Sequence, residues 1–188
     1  MFYEIEVKSH VRIPPKRFKE SPQEAILSEL NKKYDGFISK DLGVVMGVTE
    51  VMKVGEGVII PGDGAAYYEA QFRLLAYKPE LQEVVMGKII EISDFGAFVN
   101  IGPLDGMVHI SQAMDDYVSF SKSNTLTGKE TKRSLKVGDV CRAKIIAVSY
   151  KDMANPKVGL TMRQQGLGKE EWLAEEKKKT KESKEDKK

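Results

Sequence analysis

Two short stretches of this 188-residue chain carry residue types used in catalysis. Asp94-Phe95-Gly96 matches the metal-binding tripeptide of protein kinases, and His109, one of two histidines, lies shortly after it. A kinase also needs a glycine-rich nucleotide loop, an H-R-D segment and a strand lysine, and these do not occur in the required order. Asp115-Asp116 is the only adjacent acidic pair between residues 81 and 165. Two-metal phosphodiester chemistry requires carboxylates converging around ions about 3.5–4 Å apart, with further ligands. Consecutive side chains without a partnered histidine read instead as a turn cap. The segment GEGVIIPGDG at 55–64 suggests a phosphate loop, but a dinucleotide fingerprint would need glycine where Ile60 stands, and no GK[ST] follows. Its glycines read as strand-ending turns with positive φ. The expectation is a protein with no catalytic site, no cofactor and no metal.

The same stretch supports a different chemistry. Phe95, Phe98 and His109 could present flat rings along one groove, on which nucleic-acid bases stack with about 1–3 kcal/mol each. Lys88, Lys144 and Lys157 flank these rings along the chain, and Lys129, Lys132, Arg133 and Lys136 follow near Tyr117 and Phe120. Aromatics interleaved with cations are the footprint of single-stranded nucleic-acid binding. Each residue also has a plainer role open to it. Phe98 fits a core position equally well, His109 fits a cap on the neighbouring turn, and the loop lysines fit a solvated surface.

Composition narrows the setting. The net charge of +2 excludes a polycation that binds nucleic acid through a global field, so any such binding uses a local surface. Cys141 is the sole cysteine, which rules out a disulfide framework within the chain and fits a reducing cytoplasm. No apolar run approaches the roughly 18 residues of a membrane span, and MFYEIEVKSHVRIPP lacks the pattern of a secretory signal. No membrane partner is expected.

The positioning elements fall into two blocks and a tail. Residues 1–80 read as a small α+β domain. Phe2–Val7 partly alternates like a strand, and Ser21-Pro22-Gln23-Glu24 starts a helix that Asp35-Gly36 closes. Phe37–Ser39, Gly43–Val48 and Tyr67–Tyr77 are further strands. Lys78-Pro79 marks the boundary. Residues 81–165 carry five short strands, at 83–92, 97–101, 106–110, 139–149 and 158–162, with a long connection at 112–137. This is the pattern of an all-β, five-stranded Greek-key barrel of the OB type, whose second and third strands usually form the oligonucleotide face. A short helical turn is expected at 112–117, followed by a flexible Ser/Thr/Lys loop. Residues 166–188 form a charged tail, with 15 charges in the last twenty residues and only Trp172 and Leu173 as large apolar groups. Beyond a short helix near 169–178 the tail is expected to be disordered. The exposed apolar tip Val58-Ile59-Ile60-Pro61 is a candidate docking surface for another protein.

GKIIEISDFGAFV, DGMVHIS, VGDV and GLTMR, in that order over residues 83–163, resemble the S1-type RNA-binding domain. That resemblance implies RNA-facing roles for Phe95, Phe98, His109 and Lys157. MFY at the start, LGVVMGVT at 42–49 and GEGVIIPGDG at 55–64, joined to such a domain, extend the likeness to about residues 1–165. The chain so read resembles the family of the archaeal E-prime subunit of DNA-directed RNA polymerase, whose eukaryotic counterpart is the seventh-largest subunit of RNA polymerase II. The family likeness implies a non-catalytic stalk protein that forms a heterodimer with a small helical partner, the F subunit of the polymerase. It further implies that the tip meets the polymerase core and that the barrel meets emerging single-stranded RNA. A partner surface around Phe2, Tyr68, Phe72 and the 76–82 linker is expected. The competing reading is a free-standing S1-type RNA-binding protein or a cap subunit of an RNA-degrading complex; neither gives the GVIIPGDG tip an obvious role.

Overall fold

The computed structural model describes residues 1–121, 124–152 and 155–176. It divides into two compact units, Met1–Lys78 and Pro79–Lys188.

The first unit is one antiparallel sheet covered on one face by a helix. Strands β1 (Phe2–Ile13), β2 (Ile38–Ser39), β3 (Gly43–Ile59) and β4 (Ala66–Tyr77) stand in the order β1-β4-β3-β2. Helix α1 (Pro22–Tyr34) starts as its sequence requires: the Ser21 hydroxyl accepts from Glu24 N–H and donates to the Glu24 carboxylate, with Pro22 in the first turn. Asp35 closes it, and Gly36 leaves it at φ +66°. Ala25, Ile26 and Leu30 of α1 pack on Val11, Ile13, Val45, Ala70, Phe72 and Leu74 of the sheet. The opposite sheet face is polar, tied by Lys8–Glu69 and by Arg73 reaching both Glu6 and Glu50.

β3 runs eleven residues past the expected end at Val48. Its register on β4 shifts four times, between Val45 and Gly47, Val48 and Glu50, Val51 and Lys53, and Val54 and Gly57. Each bulge adds a residue opposite none on the partner, so the alternation that marks a strand is reset before it can be read. Gly55 and Gly57 accordingly lie inside the strand instead of in a turn. Gly57 makes room for the Tyr68 ring, since a Cβ there would stand 2.6 Å from it. Positive φ is confined to Gly62 and Gly64 in the turn itself.

The second unit is the expected five-stranded barrel. Strands β5 (Val84–Ser93), β6 (Gly96–Asn100) and β7 (Asp105–His109) form a meander, and α2 (Ile110–Ala113) follows. Strands β8 (Val118–Ser121), β9 (Thr125–Gly128) and β10 (Ser134–Lys136) make a separate three-stranded antiparallel sheet. β11 (Val140–Ser149) and β12 (Lys157–Thr161) then close the barrel through β7–β12, β12–β11 and β11–β5 pairing. Ile89, Ala97, Val99, Val108, Ala143, Ile145 and Leu160 fill it. Cys141 is buried there, and burial pushes its thiol up to about 12, which makes it a core residue without a reactive thiolate.

The 112–137 segment is therefore structured where a flexible loop was expected, apart from residues 122–123, which lie outside the described residues. Its strands are only three or four residues long, too short for periodicity to stand out. β13 (Gly168–Lys169) pairs with Cys141 and Arg142 of β11, and residues 170–176 form a helix that buries Trp172 and Leu173. The tail disorder expected beyond this helix concerns residues outside those described.

The expected partner surface changes most. Phe72 pairs with Val7 and Tyr68 with Val11 on the α1-covered face, whereas Phe2 pairs with Tyr77 on the opposite face. Phe72 is fully buried beneath the helix and rings against Tyr34 at 5.8 Å, so it offers no surface to another protein. Phe72→Ala should destabilise the first unit by about 3–5 kcal/mol through lost burial and a residual cavity. Urea unfolding followed by far-UV circular dichroism measures this, and a loss below about 1 kcal/mol would contradict a core role for Phe72.

Candidate nucleic-acid interface

The interface is built on the β5–β6–β7 meander. Asp94 and Phe95 form the two-residue turn of the β5–β6 hairpin, whose ends Ser93 and Gly96 pair, with Ser93 Oγ donating to the Gly96 carbonyl at 3.1 Å. Asp94 is thus a turn residue of this hairpin. Gly96 then pairs with His109 so closely that a Cβ would lie 2.1 Å from the Val108 carbonyl oxygen, at a φ of +156°. Only glycine permits this approach.

Beyond it the alternation sorts inside from outside. Ala97, Val99 and Val108 point into the barrel, while Phe98 pairs with Met107 and Met107 with Gly159 on the outer side. Gly159 leaves the β12 end of this row without a side chain. Phe95, 46% exposed, stands edge-to-face to Phe98 with ring centroids 6.0 Å apart. His109 is exposed at the other side of Gly96. Its Nδ1 accepts from Ser111 N–H at 3.3 Å and lies 2.8 Å from Ser111 Oγ. It therefore caps α2 while its ring stays on the surface. With Nδ1 accepting, the neutral ring carries its proton on Nε2, which becomes the donor edge. Phe98 is half-buried and outward, a base for the row and not a core residue.

The cations distribute less evenly. Lys157 is exposed, two residues before Gly159 on the same strand side. Lys88 is exposed and lies between Asn100 of β6 and Val140 of β11. Neither makes a salt bridge among the described residues. Lys144 lies between Val84 and Thr161 and donates to the Gln164 amide oxygen at 3.3 Å, two strands from His109. Lys132, at φ +57°, is exposed on the turn before β10. Arg133 differs from the expectation. Its guanidinium pairs with Glu176 at 2.9 Å and lies 5.5 Å from the Trp172 ring, which ties it to the terminal helix and not to the ring row. Met107, central to the row, was missed because a lone methionine in a strand carries no signal for a binding face.

The acidic pair separates. Asp115 pairs with Arg163 at 2.9 Å, while Asp116 accepts from the N–H groups of Tyr117, Glu130 and Thr131 and from the Thr131 hydroxyl. These donors, the Thr131 N–H foremost, hold the Asp116 carboxyl below the usual carboxylate range. The two carboxylates therefore do not converge, and no group of three metal-capable side chains occurs among the described residues.

In the first unit the β3–β4 hairpin presents Val58, Ile59, Ile60 and Pro61, all exposed, with Ile59 at 62%. Arg12 holds the turn by two hydrogen bonds to the Asp63 carboxylate, at 2.9 and 2.5 Å, and Tyr67 Oη donates to the same group at 2.5 Å.

Comparison with known proteins decides the family. Residues 8–64 match the SHS2 domain found in the N terminus of Rpb7p/Rpc25p/MJ0397, and residues 78–154 match the S1 RNA binding domain. The DNA-directed RNA polymerase subunit Rpo7 of Sulfolobus acidocaldarius is 42% identical over 94% of this chain and 97% of its own length. Rpo7 of Saccharolobus solfataricus is 41% identical over 95% and 100%. The chain belongs to the Rpo7 family. The likeness drawn from its motifs to an archaeal subunit of DNA-directed RNA polymerase is borne out, as is the pairing of an α+β domain with an S1-type barrel. The Rpo7 family is recognisable beyond archaea: the RNA polymerase III subunit RPC8 of Bos taurus is 26% identical over 81% of this chain and 78% of its own. No helix among the described residues is long and apolar enough to cross a membrane.

The tip contact has a pH signature. Hydrogen bonds from Arg12, then Tyr67, hold the Asp63 carboxyl well below the usual carboxylate range. A folded-state pKa below the unfolded value means that the contact stabilises the fold above the unfolded pKa and is lost as pH falls through the folded value. A carbon-detected NMR titration should therefore show Asp63 still ionised at about pH 3, where an ordinary aspartate is largely protonated. In Arg12→Ala the midpoint should move up towards the ordinary range; an unchanged midpoint would remove Arg12 as the cause.

Proposed function

We propose that this accessory polymerase protein, which has no catalytic site of its own, binds single-stranded RNA emerging from the enzyme through the outer face of β6, β7 and β12. The observation that carries this reading is the row Phe98–Met107–Gly159, with Phe95 and His109 on either side of Gly96 and beside it Lys157, which has no salt bridge among the described residues. Rings on a rigid barrel take bases of any identity at about 1–3 kcal/mol each, and Lys157 and Lys88 attract the phosphates between them. Affinity then depends on salt and little on sequence. The same chain docks on the polymerase core through Val58–Pro61, an apolar tip that Arg12 and Asp63 hold in place. The S1-type barrel alone would also suit a free-standing RNA-binding protein or an RNA-degrading complex, but the tip has no obvious role in a solitary RNA-binding protein.

Pairing with the small helical F subunit completes this reading. Leu81, Val84, Met86 and Val140 are large, exposed apolar groups on or beside the outer face of β5 and β11, where Val84 and Met86 share one side. A patch of this kind suits a contact between polymerase chains, and the buried Phe72 does not. Lys144 borders that patch and is assigned to its rim. The proposed setting is the cytoplasm.

Fluorescence anisotropy with a labelled single-stranded RNA tests the barrel. Phe95→Ala should weaken binding about tenfold, the weight of one stacked base. Lys157→Ala should weaken it uniformly across sequences and lower the salt slope by about one. Unchanged binding in both variants would show that the face has been misassigned. For the tip, Ile59→Ser with Ile60→Ser should abolish co-purification with the polymerase core while the small helical partner stays bound. Retained core chains would refute the docking role.

A further inference from the structure

The three-stranded sheet β8–β9–β10 has a second face that the barrel reading does not use. One side of it is core: Leu126 and Leu135 are fully buried, and Phe120 and Val118 share their side. The alternation then places Tyr117, Ser119 and Ser121 of one strand on the other side. Ser119 pairs with Thr127, and Thr127 with Ser134. Lys136 lies two residues on from Ser134 and is exposed. Thr125, between Ser121 and Lys136 on this side, is buried, so the open part of the face runs from Tyr117 and Lys129 to Ser119, Thr127 and Ser134, with Lys136 at its edge. It carries hydroxyls, lysines and one aromatic, with no carboxylate among its named positions.

Tyr117 is the most exposed aromatic of the chain's described residues, at 69%. Its carbonyl accepts from Lys129 N–H at 2.9 Å, extending the β8–β9 ladder by one pair. The cross-strand pairing brings the Lys129 ammonium to 4.3 Å from the centre of the tyrosine ring. One ring face is thereby occupied by a cation and the other is open. The ring does not sit on a loose loop. Asp116, next to it, accepts from the N–H groups of Glu130 and Thr131 across the turn and so locks the two chain segments together. Gly128 fits under this carboxylate, since a Cβ there would stand 2.3 Å from Asp116 Oδ2.

We propose that the open face of this sheet is a second stacking station for single-stranded RNA, with Tyr117 taking a base and Lys129 and Lys136 taking flanking phosphates. A fixed, exposed ring backed by an ammonium, beside a row of hydroxyls, has the donors, π-face and positive charge that a ribonucleotide strand needs. An acidic protein segment would find the charge but no apolar surface to bury, because the outward positions other than Tyr117 are Ser, Thr and Lys. The inference rests on the RNA reading of the barrel and extends its footprint, so RNA long enough to reach both stations binds tighter than RNA spanning one.

The test uses the full chain and fluorescein-labelled oligouridylates of about 4 and about 20 nucleotides, the lower end of the site of a single OB barrel and a length beyond its upper end. Tyr117→Ala should weaken the longer RNA about tenfold and leave the shorter one within about twofold, whereas Tyr117→Phe should keep native affinity. Lys129→Ala should lower the salt slope for the longer RNA by about one. A far-UV spectrum and melting curve identical to the native chain are expected, since the removed ring is exposed. Native affinity of Tyr117→Ala for the longer RNA, alongside weakened Phe95→Ala, overturns this station and leaves the barrel reading intact. Weakened Tyr117→Ala with unaffected Phe95→Ala overturns the barrel face, and with it the reading of Tyr117 as a second station on that footprint. If Tyr117→Ala instead abolishes capture of another polymerase chain while RNA affinity is native, the face is a protein contact and the proposal fails.

Discussion

In each sheet of this chain a residue must point to one of two faces, and only one of those faces has something to bury against. The proposed binding face is one that is left over. In the first unit α1 covers the side carrying Val11, Phe72 and Leu74, so the other side keeps its charges in water and neutralises them in pairs. In the barrel the inward set is Ala97, Val99 and Val108, so Phe98 and Met107 have no choice but to face out. Gly96 sharpens this by letting β6 and β7 close to backbone contact, which sets His109 and Phe95 at either side of the same short stretch. The proposed RNA face is thus a by-product of filling the barrel.

Charge follows the same logic. The chain has nearly equal numbers of acids and bases, and the structure sets several of the bases against carboxylates: Arg12 with Asp63, Arg73 with Glu6 and Glu50, Arg133 with Glu176, Arg163 with Asp115. Exposed pairs like these add little stability. Their effect is selective, because they leave particular lysines without a carboxylate partner among the described residues. Lys157 and Lys88 in the barrel are of this kind, and they suit the proposed weak, salt-sensitive grip on RNA.

Much of this was legible in the residues. The helix of the first unit announced itself through its Ser-Pro-x-Glu start and its apolar period, and the barrel through five short strands separated by turn residues. Phe95, Phe98 and His109 were recognisable as a set because their spacing suits two adjacent strands. The long β3 was not legible, since four bulges erase its period. The β8–β10 sheet was hidden because strands of three or four residues carry too few alternations to count. Phe72 was misjudged because one strand shows which residues share a side but not which side the helix covers. The pairing of Arg133 was not legible because its partner, Glu176, lies 43 residues away.

Residue order alone set local conformation and periodicity: caps, turns, strand faces, and the succession of motifs that places the chain in the Rpo7 family. Folding settled which faces are covered, which cations are already paired, and where a ring such as Tyr117 meets an ammonium such as Lys129. The reason is physical. Propensity and alternation act between neighbours along the chain, whereas burial and charge pairing are settled by residues that become neighbours only after folding.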